Sequence, residues 1–340
     1  MKTMTQPASQ CPSPMSSREV VRRTISFQRA DRLPYCLLPE YGTDFYDIAM
    51  HNSPDWRPRS GVDGWGCVWE NIGVSKLGEV KTPVLPDWSG WDKLKIPDVS
   101  APQNWEHLHD AREKAGDKFL LAWGISLYER IHFIRGLENT WADIYTNPQE
   151  LKRLIDLLVE MNIYAIKRFA DLGADGYIWC DDWGLQNCLM ISPSSWCEIW
   201  RPAYERVYRA AHDVGLQTFL HSCGDITAIL DDLIDIGLDV IQMDQQENMG
   251  LEQLGTRFSG RITFWNPVDI QATMAHGSLD DIRKYCRTMV RALGKPEGGF
   301  IAKWYTDPVG AGHRREAIDA MAQEFVKISQ EHAGGSPYRE

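Results

Sequence analysis

The 340-residue chain is 43% hydrophobic and 24% charged, an ordinary globular balance that fills a sizeable core. Its formal net charge of −11 argues against nucleic acid or an anionic membrane as a main partner, since both require a basic face, and leaves room for a basic protein partner. No apolar run is long enough to span a bilayer.

Residues 1–16 are rich in Ser, Pro and Gln, lack the apolar centre of a signal peptide and read as a disordered tail, so a cytoplasmic location is expected. The eight cysteines, at 11, 36, 67, 180, 188, 197, 223 and 286, form no CxxC pair and no regular framework. They read as reduced thiols.

From about Pro34, short apolar runs alternate with longer amphipathic segments. The spacing predicts strands at 33–38, 118–124, 175–180, 216–222, 239–243, 261–266 and 298–304, with an eighth only weakly written. Helices are predicted at 147–171, with Leu151, Leu154, Leu158, Ile163 and Ile166 on one stripe, and at 193–214, with Ser192 as cap and Pro193 in the first position. Another starts at Asp225, and the last covers about 314–332. Doubly apolar strands alternating with helices predict a closed parallel barrel, the (β/α)8 or TIM-barrel fold. No GxGxxG follows the first strand, against a nucleotide-binding sheet. Residues 61–95 break the pattern with Gly, Pro and Trp. They are expected to form an inserted hairpin or lid between the first two barrel strands, within one domain spanning 17–340.

Such a barrel puts its active site where the strands end. Those ends carry Trp123, Cys180-Asp181-Asp182, His221-Ser222-Cys223, Asp244, Trp265-Asn266 and Trp304 to Asp307. Residues two apart on extended chain point the same way, so His221 and Cys223 are candidate ligands of one ion, zinc or another divalent metal. Spacing alone leaves open a core histidine beside an inert cysteine. Adjacent Asp181 and Asp182 point oppositely, so at most one, Asp182 by preference, faces the site for acid/base work, substrate anchoring or support of the metal while the other holds a loop or a backbone amide; the alternative is a pair of helix-capping aspartates. Asp244 and Asp307 are candidates for a third metal ligand, or are plain loop acids. The chain has fourteen tryptophans, and Trp65 and Trp69 are two of those that fall in the insert. Trp123, Trp179, Trp183, Trp265 and Trp304, with Tyr305, are expected to form an apolar wall at the mouth for a flat substrate or cofactor.

The segments SSREVVRRTISFQRADRLP (16–34), DDWG (181–184), HSCGDITAILDDLIDIGLDVIQ (221–242) and GGFI (298–301) resemble the uroporphyrinogen decarboxylase superfamily. The resemblance implies the (β/α)8 fold and two kinds of activity. One is metal-free decarboxylation; the other is methyl transfer between a corrinoid (cobalamin) on a small carrier protein and a thiol or methylated donor. The decarboxylases' RQAGRY-like segment has no counterpart after Pro34, where the chain reads YCLLPEYGTDF. The HxC pair is similar to the methyltransferases' zinc site. Their later cysteine is missing, since KWYTDPVGAGH stands there with Thr306 and Asp307 near the expected position.

The resemblance therefore implies a metal-dependent, corrinoid-linked methyltransferase or demethylase with a small-molecule methyl donor or acceptor; a homodimer is compatible with it. A decarboxylase or lyase of a small organic acid, and a barrel kept only for binding, are the alternatives.

Overall fold

The computed structural model describes residues 14–51, 55–71, 73 and 78–334; thirteen of the sixteen residues expected to form the tail lie outside them. Eight parallel strands form a nearly closed barrel: β1 Tyr35–Cys36, β2 Phe45–Ala49, β3 Phe119–Trp123, β4 Gly176–Cys180, β5 Gln217–His221, β6 Val240–Gln242, β7 Thr263–Asn266 and β8 Phe300–Lys303. Each pairs with the next from β2 to β8, and β8 pairs with β1. Between β1 and β2 only a Cys36–Thr43 bridge remains. The buried Asp44 carboxylate fastens this seam by accepting from the Tyr35 amide at 2.8 Å and from both terminal nitrogens of Arg32.

The eighth, weakly written strand is β2, FYDIA. Its charged Asp47 breaks the apolar run because this inward position opens onto the mouth. With β2 counted, the insert lies between the second and third strands, not the first two as expected. It is a small antiparallel sheet of Gly61–Val62, Val68–Asn71 and Gly78–Val80. The expected helix at 193–214 contains a π turn, Trp196–Trp200, before Arg201–Asp213. Pro202 has no N–H for a regular bond, and the wider turn absorbs the loss. Asp225 accepts from the Thr227 amide at 2.9 Å, so its helix begins at Thr227–Asp235, two residues later than expected.

Strand alternation sorts the side chains. Outward residues such as Leu120, Tyr177, Trp179, Leu220, Ile241 and Phe264 join the core shared with the helices. Inward residues Phe45, Phe119, Leu121, Ile178, Phe219, Val240, Trp265 and Ile301 fill the barrel. Phe45 stacks on Trp265 with centroids 5.0 Å apart. At Gly176 an added Cβ would lie 2.7 Å from the Phe219 ring, so only glycine leaves room for the two phenyl groups there. The helix Ser17–Ile25 adds Val21 and Ile25 to this interior and closes the lower end. One layer higher, the inward positions change character to Asp47, Trp123, Cys180, His221, Gln242 and Lys303. The floor is apolar and the top layer chemical.

The insert is tied down by Asp63, which accepts from the amides of Trp65 and Cys67 and from the Trp69 indole, each at 3.0 Å. It also pairs with the fully buried Arg130 at 2.6 Å. Removing one member of a buried pair leaves the other charge uncompensated. Arg130→Met should therefore cost about 3–5 kcal/mol in urea unfolding, with faster proteolysis within the insert; an unchanged midpoint would show that the pair is dispensable.

Candidate metal centre

Strands β4 and β5 pair with Cys180 opposite His221, so the loops that leave them run side by side. The Gly184 amide donates to the Cys223 carbonyl at 3.1 Å, and the Asp225 amide to the Leu185 carbonyl at 2.7 Å. A Cβ on Gly184 would lie 2.4 Å from the Asp225 nitrogen. One on Gly224, whose φ is +74°, would lie 2.2 Å from the Gly184 oxygen. Only two glycines let the backbones touch in this way.

That contact brings Asp182 to the HxC pair. Its Oδ1 accepts from the Cys223 amide at 2.8 Å and lies 3.4 Å from His221 Nε2. The Cys223 Sγ is also 3.4 Å from Nε2. Ligand atoms of all three residues lie within 4.8 Å of one another, the one such group of His, Cys, Asp and Glu among the described residues. Zinc bond lengths of roughly 2.0–2.3 Å give tetrahedral edges of about 3.4–3.6 Å. The nitrogen, sulfur and oxygen therefore fit a divalent ion, and the partly exposed Asp182 leaves a side open to the mouth.

Behind the imidazole, His221 Nδ1 meets Gln242 Oε1. The Gln242 amide donates to Asp244 Oδ1 at 2.7 Å, and Lys303 Nζ donates to the same oxygen at 3.1 Å. Beside the group, Cys180 shares its surroundings with Arg57, which pairs with Glu129 at 2.6 Å.

Burial tends to raise the pKa of Asp182, but bonds to His221 and to the Cys223 amide, with Arg57 nearby, hold it below the usual carboxylate range. Burial also tends to lower that of His221, yet Cys223, Cys180 and Asp182 together raise it well above its ordinary value. The Cys223 thiol is pushed up to about 11 by burial and by Asp182, against the pull of His221. Burial pushes Glu129 up to about 8 despite Arg57. The donor set thus pairs an ionised Asp182 carboxylate with a Cys223 thiol that burial keeps neutral.

Not every expected residue faces the mouth. Asp181 is fully buried, accepting from the Leu127 amide at 3.1 Å, the Glu129 amide at 2.8 Å, the Trp179 indole at 2.9 Å and the Tyr204 hydroxyl. It anchors the start of the helix Tyr128–Arg135, leaving no oxygen for acid/base work. Asp244, expected as a third ligand, is spent on Gln242 and Lys303, its Oδ2 no nearer than 4.0 Å to His221. Asp307 accepts from the Gly310 amide at 3.4 Å within its own loop and does not join the group. Trp179 points outward between barrel and helices, near Tyr208. Trp183 is fully buried and stacks on Tyr128 at 3.7 Å. Trp265 belongs to the barrel filling, and Trp304 packs against the outer core. Trp65 and Trp69 are buried within the insert.

Of the expected aromatic wall, Trp123 and Tyr305 face the opening. The Trp123 indole donates to Asp47 at 3.2 Å. Tyr305 lies near Asp244, Cys223 and His221 and borders a cavity of about 440 Å³ lined also by Gln245, Ile270, Gln271 and His276. Arg57, Glu129, Gln242, Lys303 and Asp47 were not anticipated. Gln242, Lys303 and Asp47 leave a trace in sequence, as lone polar residues at inward positions of apolar strands. Arg57 and Glu129 arrive on loops and leave none.

The fold is similar to that of a methyltransferase from Methanosarcina mazei, with a TM-score of 0.69 at 16% identity, covering 92% of this chain and 99% of that one. An L-ribulose 3-epimerase (TM-score 0.45, 12% identity, 95% and 92% covered) and a D-psicose 3-epimerase from Clostridium cellulolyticum H10 (0.40, 11%, 86% and 90%) are more remote. No curated protein matches the sequence. The uroporphyrinogen decarboxylase (URO-D) family profile matches residues 78–304, more than half of the chain, and the chain belongs to that family.

Proposed function

We propose that the chain is a metal-dependent methyltransferase that moves a methyl group between a corrinoid, carried by a small partner protein, and a thiol or methoxylated small molecule. The observation that carries this reading is the Asp182–His221–Cys223 donor set at the open end of the barrel. The similar fold of a methyltransferase supports it.

Zinc, or another divalent ion, would be held by His221 Nε2, Cys223 Sγ and an Asp182 oxygen, and would polarise the substrate's sulfur or oxygen as a Lewis acid. One sulfur among three donors makes this a harder site than a two-thiolate one, which favours an oxygen-bearing methyl donor. Burial and the nearby acids push Tyr305 up to about 12, so its hydroxyl stays neutral and can donate to that heteroatom. The small molecule would approach the donor set past Tyr305, which borders the open cavity of about 440 Å³, and the apolar barrel filling lies beneath the donor layer. No helix among the described residues is long and apolar enough to cross a membrane, which suits a mouth reached by a diffusing carrier protein.

Two outcomes follow. Wild-type protein should hold one zinc per chain and transfer methyl groups with a methylated corrinoid protein, or demethylate a methoxylated donor. His221→Ala and Cys223→Ala should lose the metal and about a hundredfold or more in rate; full activity in metal-free His221→Ala would end the proposal. Metal uptake must also displace a proton from the Cys223 thiol, which burial pushes up to about 11, while Asp182 is already ionised. Zinc affinity measured by chelator competition should therefore rise with pH between roughly pH 6 and 8. A flat profile would contradict this protonation pattern.

A further inference from the structure

His221 reaches the donor group through one nitrogen, and the other is engaged by a chain of side chains crossing from β8 to β5. Resting on the metal reading above, we propose that Lys303, Asp244 and Gln242 act in series to fix which nitrogen of His221 faces the ion.

An ammonium only donates, so Lys303 at 3.1 Å holds Asp244 as an accepting carboxylate. Asp244 can then take only an N–H from Gln242, which sets the amide nitrogen toward it at 2.7 Å. The amide oxygen is left facing His221 Nδ1. A carbonyl oxygen only accepts, so Nδ1 must carry a hydrogen, and Nε2 presents its lone pair to the space between Cys223 and Asp182. A ring turned over would set a C–H against Oε1 and forfeit the bond.

All three residues are buried, so water does not compete for these bonds. The sequence supports the series independently of His221: Gln242 and Lys303 are the polar ends of otherwise apolar strands, VIQ and FIAK. Without the series, a buried amide and a buried ammonium at those positions would be unfavourable. Gln242 is thus a positioning residue that touches the ligand, and Lys303 one that acts through two neighbours.

The test is zinc affinity by chelator competition, with the visible spectrum of the Co(II)-loaded protein as a second readout and circular dichroism as a check on folding. Gln242→Leu should bind zinc about 10–100-fold more weakly, the usual effect of losing a partner behind a metal-bound histidine, and should alter the Co(II) bands. Gln242→Glu, which keeps an acceptor at Nδ1, should restore the affinity. Lys303→Met should cause a smaller loss in the same direction. Because the residues act in series, Lys303→Met should cost nothing further once Gln242→Leu is present. If Gln242→Leu does not fold, Gln242→Asn, too short to span both neighbours, takes its place. Wild-type affinity in the Gln242 variant, or losses that simply add in the double variant, would overturn the series and leave the metal reading standing. A wild-type chain that binds no zinc would overturn both.

Discussion

The close approach of two backbones, at Gly184 and Gly224, is the constraint on which the site depends. Strand pairing sets Cys180 beside His221, but pairing ends there, and loops leaving neighbouring strands ordinarily diverge around a barrel. Here two missing Cβ atoms let them lock through direct amide–carbonyl bonds. The carboxylate of one loop thereby caps the amide of the other, and Asp182 is delivered to a pair of ligands that sequence places two residues apart. A side chain at either glycine would meet the facing backbone at 2.4 or 2.2 Å and force the loops apart while leaving the barrel beneath untouched.

Much of this was legible in the chain, and the failures have physical reasons. Alternating apolar runs exposed seven strands because their outer faces all meet the same helix layer. The remaining strand, FYDIA, was faint because its inward Asp47 opens onto the mouth instead of the plug. His221 and Cys223 could be picked out because both lie on one short stretch of chain. Asp182 could be picked out as facing the site but not as a third donor beside them, since that depends on register and loop contact between two segments about forty residues apart. Asp244 and Asp307 were equally good candidates by position, and only bonds to Gln242 and Lys303, or to Gly310, show where they are used. The tryptophans misled for a simpler reason: standing near a strand end does not say which side of the strand a ring occupies. Trp179, adjacent to the inward Cys180, points outward by parity.

Charges of both signs are interleaved at the mouth. Asp182 and Asp244 flank His221, with Arg57 engaged by Glu129 and Lys303 by Asp244. The imidazole and its supports sit in or beside the barrel wall, where strand geometry holds them, and the sulfur and the carboxylate sit on the two tightly packed turns above. That division separates what fixes the imidazole from what positions the sulfur and the oxygen.

The helix Ser17–Ile25, driven into the lower end by Val21 and Ile25, closes the barrel there among the described residues and leaves the strand ends as the way to the donor set. On the proposed function, the small reactant and the carrier protein would share that entrance. A carrier seated across the rim would block traffic in both directions, so the small reactant would have to be inside before the carrier lands. A compulsory order of binding would then follow from architecture, with no moving lid required.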